Sequence, residues 1–126
     1  MKFRLTLLAL LVSAFAICQN MEGRWVNTSF SGDENLAYLF QDDNTVKMYY
    51  AGEEILTAEP IKYTLRKDGD FYMIEMKYIK KANNFSADLL GLVKFRGKNQ
   101  IELEFFEKKN LPESLEFTEE SLTFIR

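Results

Sequence analysis

Any chemistry in this chain falls to carboxylates, amines, hydroxyls and phenols, because its 126 residues include one cysteine, Cys18, and no histidine. Without an imidazole, neither a Ser-His-acid triad nor a Cys-His pair can be assembled. Metal sites built on His and Cys are excluded with them. Neighbouring carboxylates occur at Asp42-Asp43, Glu53-Glu54 and Glu119-Glu120, but acid and base partners must face each other across a cleft, and neighbours within a turn do not. Asp42-Asp43-Asn44 and Asp68-Gly69-Asp70 could offer oxygen atoms to calcium, yet neither has the alternating acidic loop with a closing Glu. The expectation is a non-enzymatic protein with no metal and no cofactor.

A basic group, Lys77, Lys80, Lys81, Lys94, Arg96 and Lys98, is interleaved with Tyr78 and Phe95. It would suit an anionic partner such as lipid headgroups. Glu102, Glu104 and Glu107 on the next expected strand would neutralise it. Asn27-Thr28-Ser29 and Asn84-Phe85-Ser86 match the glycosylation acceptor pattern, which matters only in a eukaryotic host.

Cys18 itself ends what reads as a leader. Lys2 and Arg4 supply a positive start, residues 5–17 run predominantly apolar, and small residues lie near the end, the three parts of a secretory signal peptide. The apolar run is too short for a membrane-spanning helix. Cleavage after Ala16-Ile17-Cys18 would leave Gln19 first, and Ala14-Phe15-Ala16 offers a second site. The box Phe15-Ala16-Ile17 before Cys18 resembles the lipid-attachment site of bacterial lipoproteins, but Ile17 stands where that pattern wants a small residue. A lipid anchor at Cys18 is therefore disfavoured against removal with the leader. Residues 1–18 are assigned to a signal peptide and 19–126 to one domain, exported to the periplasm or secreted, with a membrane-anchored lipoprotein as the minority reading.

Without the leader, Lys2 and Arg4 are lost from 16 basic residues, leaving 14 against 19 acidic ones, so the net charge moves from −3 to about −5. That balance argues against a nucleic-acid partner, which requires a concentrated basic face. The remaining length fits one domain, expected as a monomer, whose stability comes from packing because no disulfide is possible.

The elements that must position these groups are strands, since the apolar period is two rather than three to four. Residues 25–30, 36–41, 45–50, 61–66, 71–79, 89–96, 100–107 and 122–126 read as eight short strands separated by turn residues. These turns are Ser31-Gly32-Asp33, Asp42-Asp43-Asn44, Ala51-Gly52-Glu53, Asp68-Gly69 and Gly97-Lys98-Asn99. A two-residue Asp68-Gly69 loop would set Leu65, Tyr63 and Ile61 against Tyr72, Ile74 and Met76, with Lys62 facing Glu75 outside. Three-residue loops at Asp42-Asp43-Asn44 and Gly97-Lys98-Asn99 would set Phe40, Tyr38 and Leu36 against Val46, Met48 and Tyr50, and Phe95 and Val93 against Ile101 and Leu103. Lys94 would then face Glu102. The loop from Lys108 to Phe117, with Pro112 followed by Glu113-Ser114-Leu115-Glu116, could form one helical turn.

Eight hairpin-linked strands hide their edges by closing into an antiparallel up-and-down barrel, with a flat sandwich as the other arrangement. The opening Glu22-Gly23-Arg24-Trp25 resembles the Gly-x-Trp start of the lipocalin and wider calycin families. The resemblance implies that Trp25 closes one end of the barrel and that a basic residue on the last strand, here Arg126, packs across its ring. Gly23, Trp25 and Arg126 are thus structural closure residues. The second lipocalin motif, Thr-Asp-Tyr, is absent, and residues 30–36 leave no room for the paired helices that cover fatty-acid-binding proteins. The resemblance is to a small bacterial lipocalin-like domain.

An eight-stranded barrel is just wide enough to be filled by side chains or to hold one small ligand. The expected inward set is Tyr38, Phe40, Met48, Tyr50, Tyr63, Tyr72, Met76, Phe95, Phe105 and Phe124, large residues that favour filling. Tyr38, Tyr50, Tyr63 and Tyr72 could instead present hydroxyls to the polar end of a small hydrophobic ligand. Two functions follow: a non-catalytic carrier of such a ligand, or an envelope interaction module, an inhibitor or assembly partner, with a filled barrel and no ligand.

Overall fold

A computed structural model describes residues 20–28 and 36–126. The expected leader with Cys18 and its cleavage sites, the turn at Ser31-Gly32-Asp33 and the end of the first expected strand lie outside the described residues. Alternating apolar and polar residues fold into β1 (Gly23–Asn27), β2 (Leu36–Phe40), β3 (Thr45–Tyr50), β4 (Glu53–Glu54), β5 (Ile61–Asp68), β6 (Phe71–Ile79), β7 (Ser86–Phe95), β8 (Gln100–Glu107) and β9 (Leu122–Ile125). Every strand pairing is antiparallel. The order β2-β1-β9-β8-β7-β6-β5-β3 is closed by pairing of β2 with β3, so eight strands form an up-and-down barrel, and β4 lies on β3 as a two-residue flap. No helix among the described residues is long and apolar enough to cross a membrane.

Two hairpins have the expected register. Tyr38 faces Met48 and Phe40 faces Val46 across the Asp42-Asp43-Asn44 loop. Phe95 faces Ile101 and Lys94 faces Glu102 across Gly97-Lys98-Asn99. The β5–β6 hairpin corrects expectation by two residues: Asp68 pairs with Phe71, Leu65 with Ile74, and Tyr63 with Met76. Gly69 and Asp70 occupy the turn, and the positive φ of 62° falls on Gly69. A Gly-first turn asks a left-handed conformation of glycine alone, whereas the expected turn would also have asked it of Asp68. A shift by two preserves the faces, so the apolar side is right while Glu75 faces Thr64 rather than Lys62.

Other differences are local. Glu53 and Glu54 form β4 against Tyr50 and Tyr49 instead of ending a turn, and β7 starts at Ser86. The loop 108–117 holds one helical turn as expected, but ahead of Pro112 and not starting at it. It is a short 3₁₀ turn, Lys108–Asn110.

The inside of the ring is packed by Trp25, Tyr38, Phe40, Met48, Tyr63, Ile74, Met76, Val93, Leu103 and Phe124, together with further aliphatic side chains. A second buried layer lies outside it. Leu92 faces outward, cross-strand from Met73 and Glu104, yet is 0 % exposed. The connection from β8 to β9 straps this face. Phe117 meets Phe71 edge-on at 5.3 Å, and the Thr118 amide and hydroxyl donate to the Glu104 carboxylate at 2.7 and 2.6 Å. The Ser121 hydroxyl donates to Glu102 at 2.8 Å. Glu104, expected in a solvated acidic row, is therefore only 7 % exposed, and a satellite cluster forms under the long connection.

Candidate binding site at the open end of the barrel

The two ends of the barrel differ because their connections differ. One end carries the tight turns at 42–44, 69–70 and 97–99 and is sealed by the terminal residues. Trp25 is fully buried, and its indole N–H donates to the Met21 carbonyl at 2.7 Å. The Arg126 guanidinium lies 4.5 Å from the ring centroid, a favourable cation–π arrangement. Arg126 also donates to the carbonyls of Glu22 at 2.8 Å, Asn20 at 3.1 Å and Lys98. Gly23 makes room for it. Its φ is +122°, and a Cβ there would sit 2.7 Å from Arg126 Cδ.

The other end carries the long connections 51–60, 80–85 and 108–121. Tyr50, Leu56, Ile79, Phe85 and Leu111 are exposed there, and Ile125 is the one exposed large apolar side chain at the tight-turn end among the described residues. The four candidate tyrosines are distributed accordingly. Tyr38 and Tyr63 are buried, Tyr38 against Phe40, Phe105 and Phe124 and Tyr63 edge-on to Phe40 at 4.9 Å. Tyr72, half-buried, meets Phe95 edge-on at 5.2 Å. Tyr50, expected inside, is 53 % exposed at the rim. The four do not converge on one point. Burial pushes the phenol pKa of Tyr38 up, and the neighbouring Tyr78 adds to the shift. Burial also pushes up those of Tyr63 and Tyr78. Each stays a protonated phenol at neutral pH, able to donate.

Accessible space lies in breaks of the wall, one of which, lined by Gln41 and Thr45, reaches back to the 42–44 turn. β9 is paired with β8 only from Leu103↔Leu122 towards the tight-turn end. Beyond that point a shallow pocket of about 210 Å³ opens onto Tyr38, Phe105, Leu122 and Phe124, with Glu104 and Glu120 at its edge. A wider groove of about 460 Å³ lies between β5 and β6, reaching Tyr78. Two more, of about 230 and 380 Å³, flank the 54–60 connection.

The other groups singled out from the sequence are placed apart. Asp43 accepts from the Thr45 hydroxyl and amide. The hydroxyl's hydrogen bond is the main cause holding its carboxyl below the ordinary range. Glu54 pairs with Lys47 at 3.7 Å. The basic group is split, since Lys77, Lys80 and Lys81 lie at the open end while Lys94, Arg96 and Lys98 lie at the tight-turn end. Lys94 sits over the Phe71 ring, Lys80 over Phe85, and Arg96 pairs with Glu102 at 2.6 Å. Asn27 of the first glycosylation pattern is buried at 1 % exposure, whereas Asn84 is exposed. Sequence reasoning missed Glu104 and the strap over it. The signal was the unbroken apolar run Leu89-Leu90-Gly91-Leu92-Val93, as expected of a strand covered on both faces.

No protein-family model, curated protein or solved structure matches the chain.

Proposed function

We propose that the protein is an exported, non-catalytic binding barrel of bacterial lipocalin-like type that takes a small hydrophobic ligand in the shallow openings of its long-connection end rather than in a deep cup. The observation that carries this reading is the position of free space. The interior is packed, while pockets lined by Tyr38, Phe105 and Phe124, or reaching Tyr78, open through the wall at the end where apolar side chains are exposed. Apolar lining with a few placed hydroxyls is what a small-molecule site requires. The Gly23-Arg24-Trp25 opening with Arg126 across the ring supports the lipocalin-like assignment.

The filled interior equally favours a second reading, an envelope interaction module that uses the same end as its docking face. Native mass spectrometry of the purified exported protein, combined with calorimetric titration with decanol, separates the two. Carriage predicts a co-purifying small molecule and saturable decanol binding. Absence of both would overturn it in favour of the interaction module.

A further inference from the structure

The break between β5 and β6 has its own chemistry. Their ladder stops at Tyr63↔Met76, although both strands continue, and the same register carried on would set Lys62 opposite Lys77. On their other edge the first two residues of β5 pair with β3, Val46↔Ile61 and Thr45↔Lys62. Further along, the edge of β6 is taken by the 57–58 segment, through the Ala58 N–H to the Ile79 carbonyl at 2.9 Å and the Thr57↔Lys80 bridge. Pro60, between the two, has no N–H to contribute. The wall is left with the groove of about 460 Å³, whose lining includes Glu59, Pro60, Lys62, Lys77, Tyr78 and Ile79, within the size range of small-ligand sites.

The ladder stops one residue short of these lysines, so they are not bonded partners, but both line the groove, and Lys77 stands across from Asp88 of β7 on its other side. Both lysines are exposed, and neither is in an ion pair among the described residues. Glu59 is the lone carboxylate of the lining, so the rim carries a net positive charge. Beneath it, half-buried Tyr78 keeps its proton and can donate, and Ile79 offers an exposed apolar surface.

We propose that this groove binds an anionic amphiphile, a carboxylate or phosphate monoester on an apolar chain, with Lys62 and Lys77 on the head and Tyr78 and Ile79 against the chain. The inference rests on the reading of the open end as a hydrophobic-ligand site and adds the charge of the ligand. The test is calorimetric titration of the mature protein and of the double variant Lys62→Gln/Lys77→Gln with decanoate, decyl phosphate, decanol and inorganic phosphate. Both substitutions are at exposed positions, and the variant keeps its melting temperature. Decanoate or decyl phosphate binds at least about tenfold more tightly than decanol, as one charge-assisted contact supplies. The double variant abolishes that preference without weakening decanol, and the tighter of the two anions identifies the head. Equal affinity for decanoate and decanol overturns the inference and leaves the hydrophobic-ligand reading standing. Inorganic phosphate binding as tightly as the amphiphiles overturns the assignment of an amphiphile. Failure of all three chain-bearing probes to bind overturns both readings.

Discussion

Gly91→Ala decides whether the barrel is full. Gly91 faces inward on β7, between Ile74 of β6 and Phe105 of β8. A methyl group there would meet Ile74 Cγ2 at 2.6 Å and Phe105 Cε1 and Cδ1 at 2.8 and 2.9 Å. Carbon atoms rest about 3.5–4.0 Å apart, so Ile74 must yield by about 1 Å. It is fully buried and, being β-branched, stiff at χ1. Phe105 is only half-buried and has the shallow pocket to turn into. Overpacking costs about 1–3 kcal/mol, while removing a mid-strand glycine returns about 0.5–1 kcal/mol. Taking the middle of each range, about 2 less about 0.75, the net loss is about 1.25 kcal/mol, a sizeable part of the roughly 5–15 kcal/mol that holds a domain together. With a urea m value of about 1.5 kcal/mol/M, the unfolding midpoint falls by roughly 1 M at unchanged slope. An empty cup would accept the methyl group and show the glycine gain alone. A midpoint that is unchanged or raised therefore refutes the filled interior. Phe105→Leu placed on Gly91→Ala recovers part of the loss, because the two sites touch and do not add.

Trp25→Ala removes the buried indole, its hydrogen bond to Met21 and the surface beneath Arg126; a loss of about 3–5 kcal/mol lowers the melting temperature by more than about 10 °C, and a shift of only a few degrees refutes the closing role. Glu102 accepts from Arg96 and from Ser121, which, in that order, hold its carboxyl below the ordinary range. A depressed folded pKa means that the unfolded chain binds the proton first, so the contribution is present above the unfolded value of about 4.3 and is lost as pH falls through the folded one. Wild type and Glu102→Gln therefore differ in urea-derived unfolding free energy at pH 7 by less than about 1 kcal/mol after screening, and the difference shrinks as the pH is lowered; a difference that does not shrink refutes the assignment.

The ring of eight was legible because a period of two is a local property: each strand shows its buried face whatever its partner. Two registers were legible for a similar reason, since Asp42-Asp43-Asn44 and Gly97-Lys98-Asn99 each leave one loop length that aligns apolar residues on one side. The strap over Leu92 was half legible. The run Leu89-Leu90-Gly91-Leu92-Val93 announces a strand covered on both faces, but nothing local says that Thr118, fourteen residues beyond Glu104, will be bonded to its carboxylate. The β5–β6 groove was hidden by the same turn that preserved the faces. With Asp68 and Gly69 at the centre, Lys62 faces Glu75 and looks neutralised. With Gly69 and Asp70 there, the continued register sets Lys62 opposite Lys77, at the point where the ladder ends. A two-residue slip preserves the apolar face and removes the expected Lys62–Glu75 pair, leaving Glu75 across from Thr64. Electrostatic sites on sheets therefore depend on turn chemistry that the apolar pattern cannot report, and the lysine pair becomes visible only once the positive φ is assigned to Gly69.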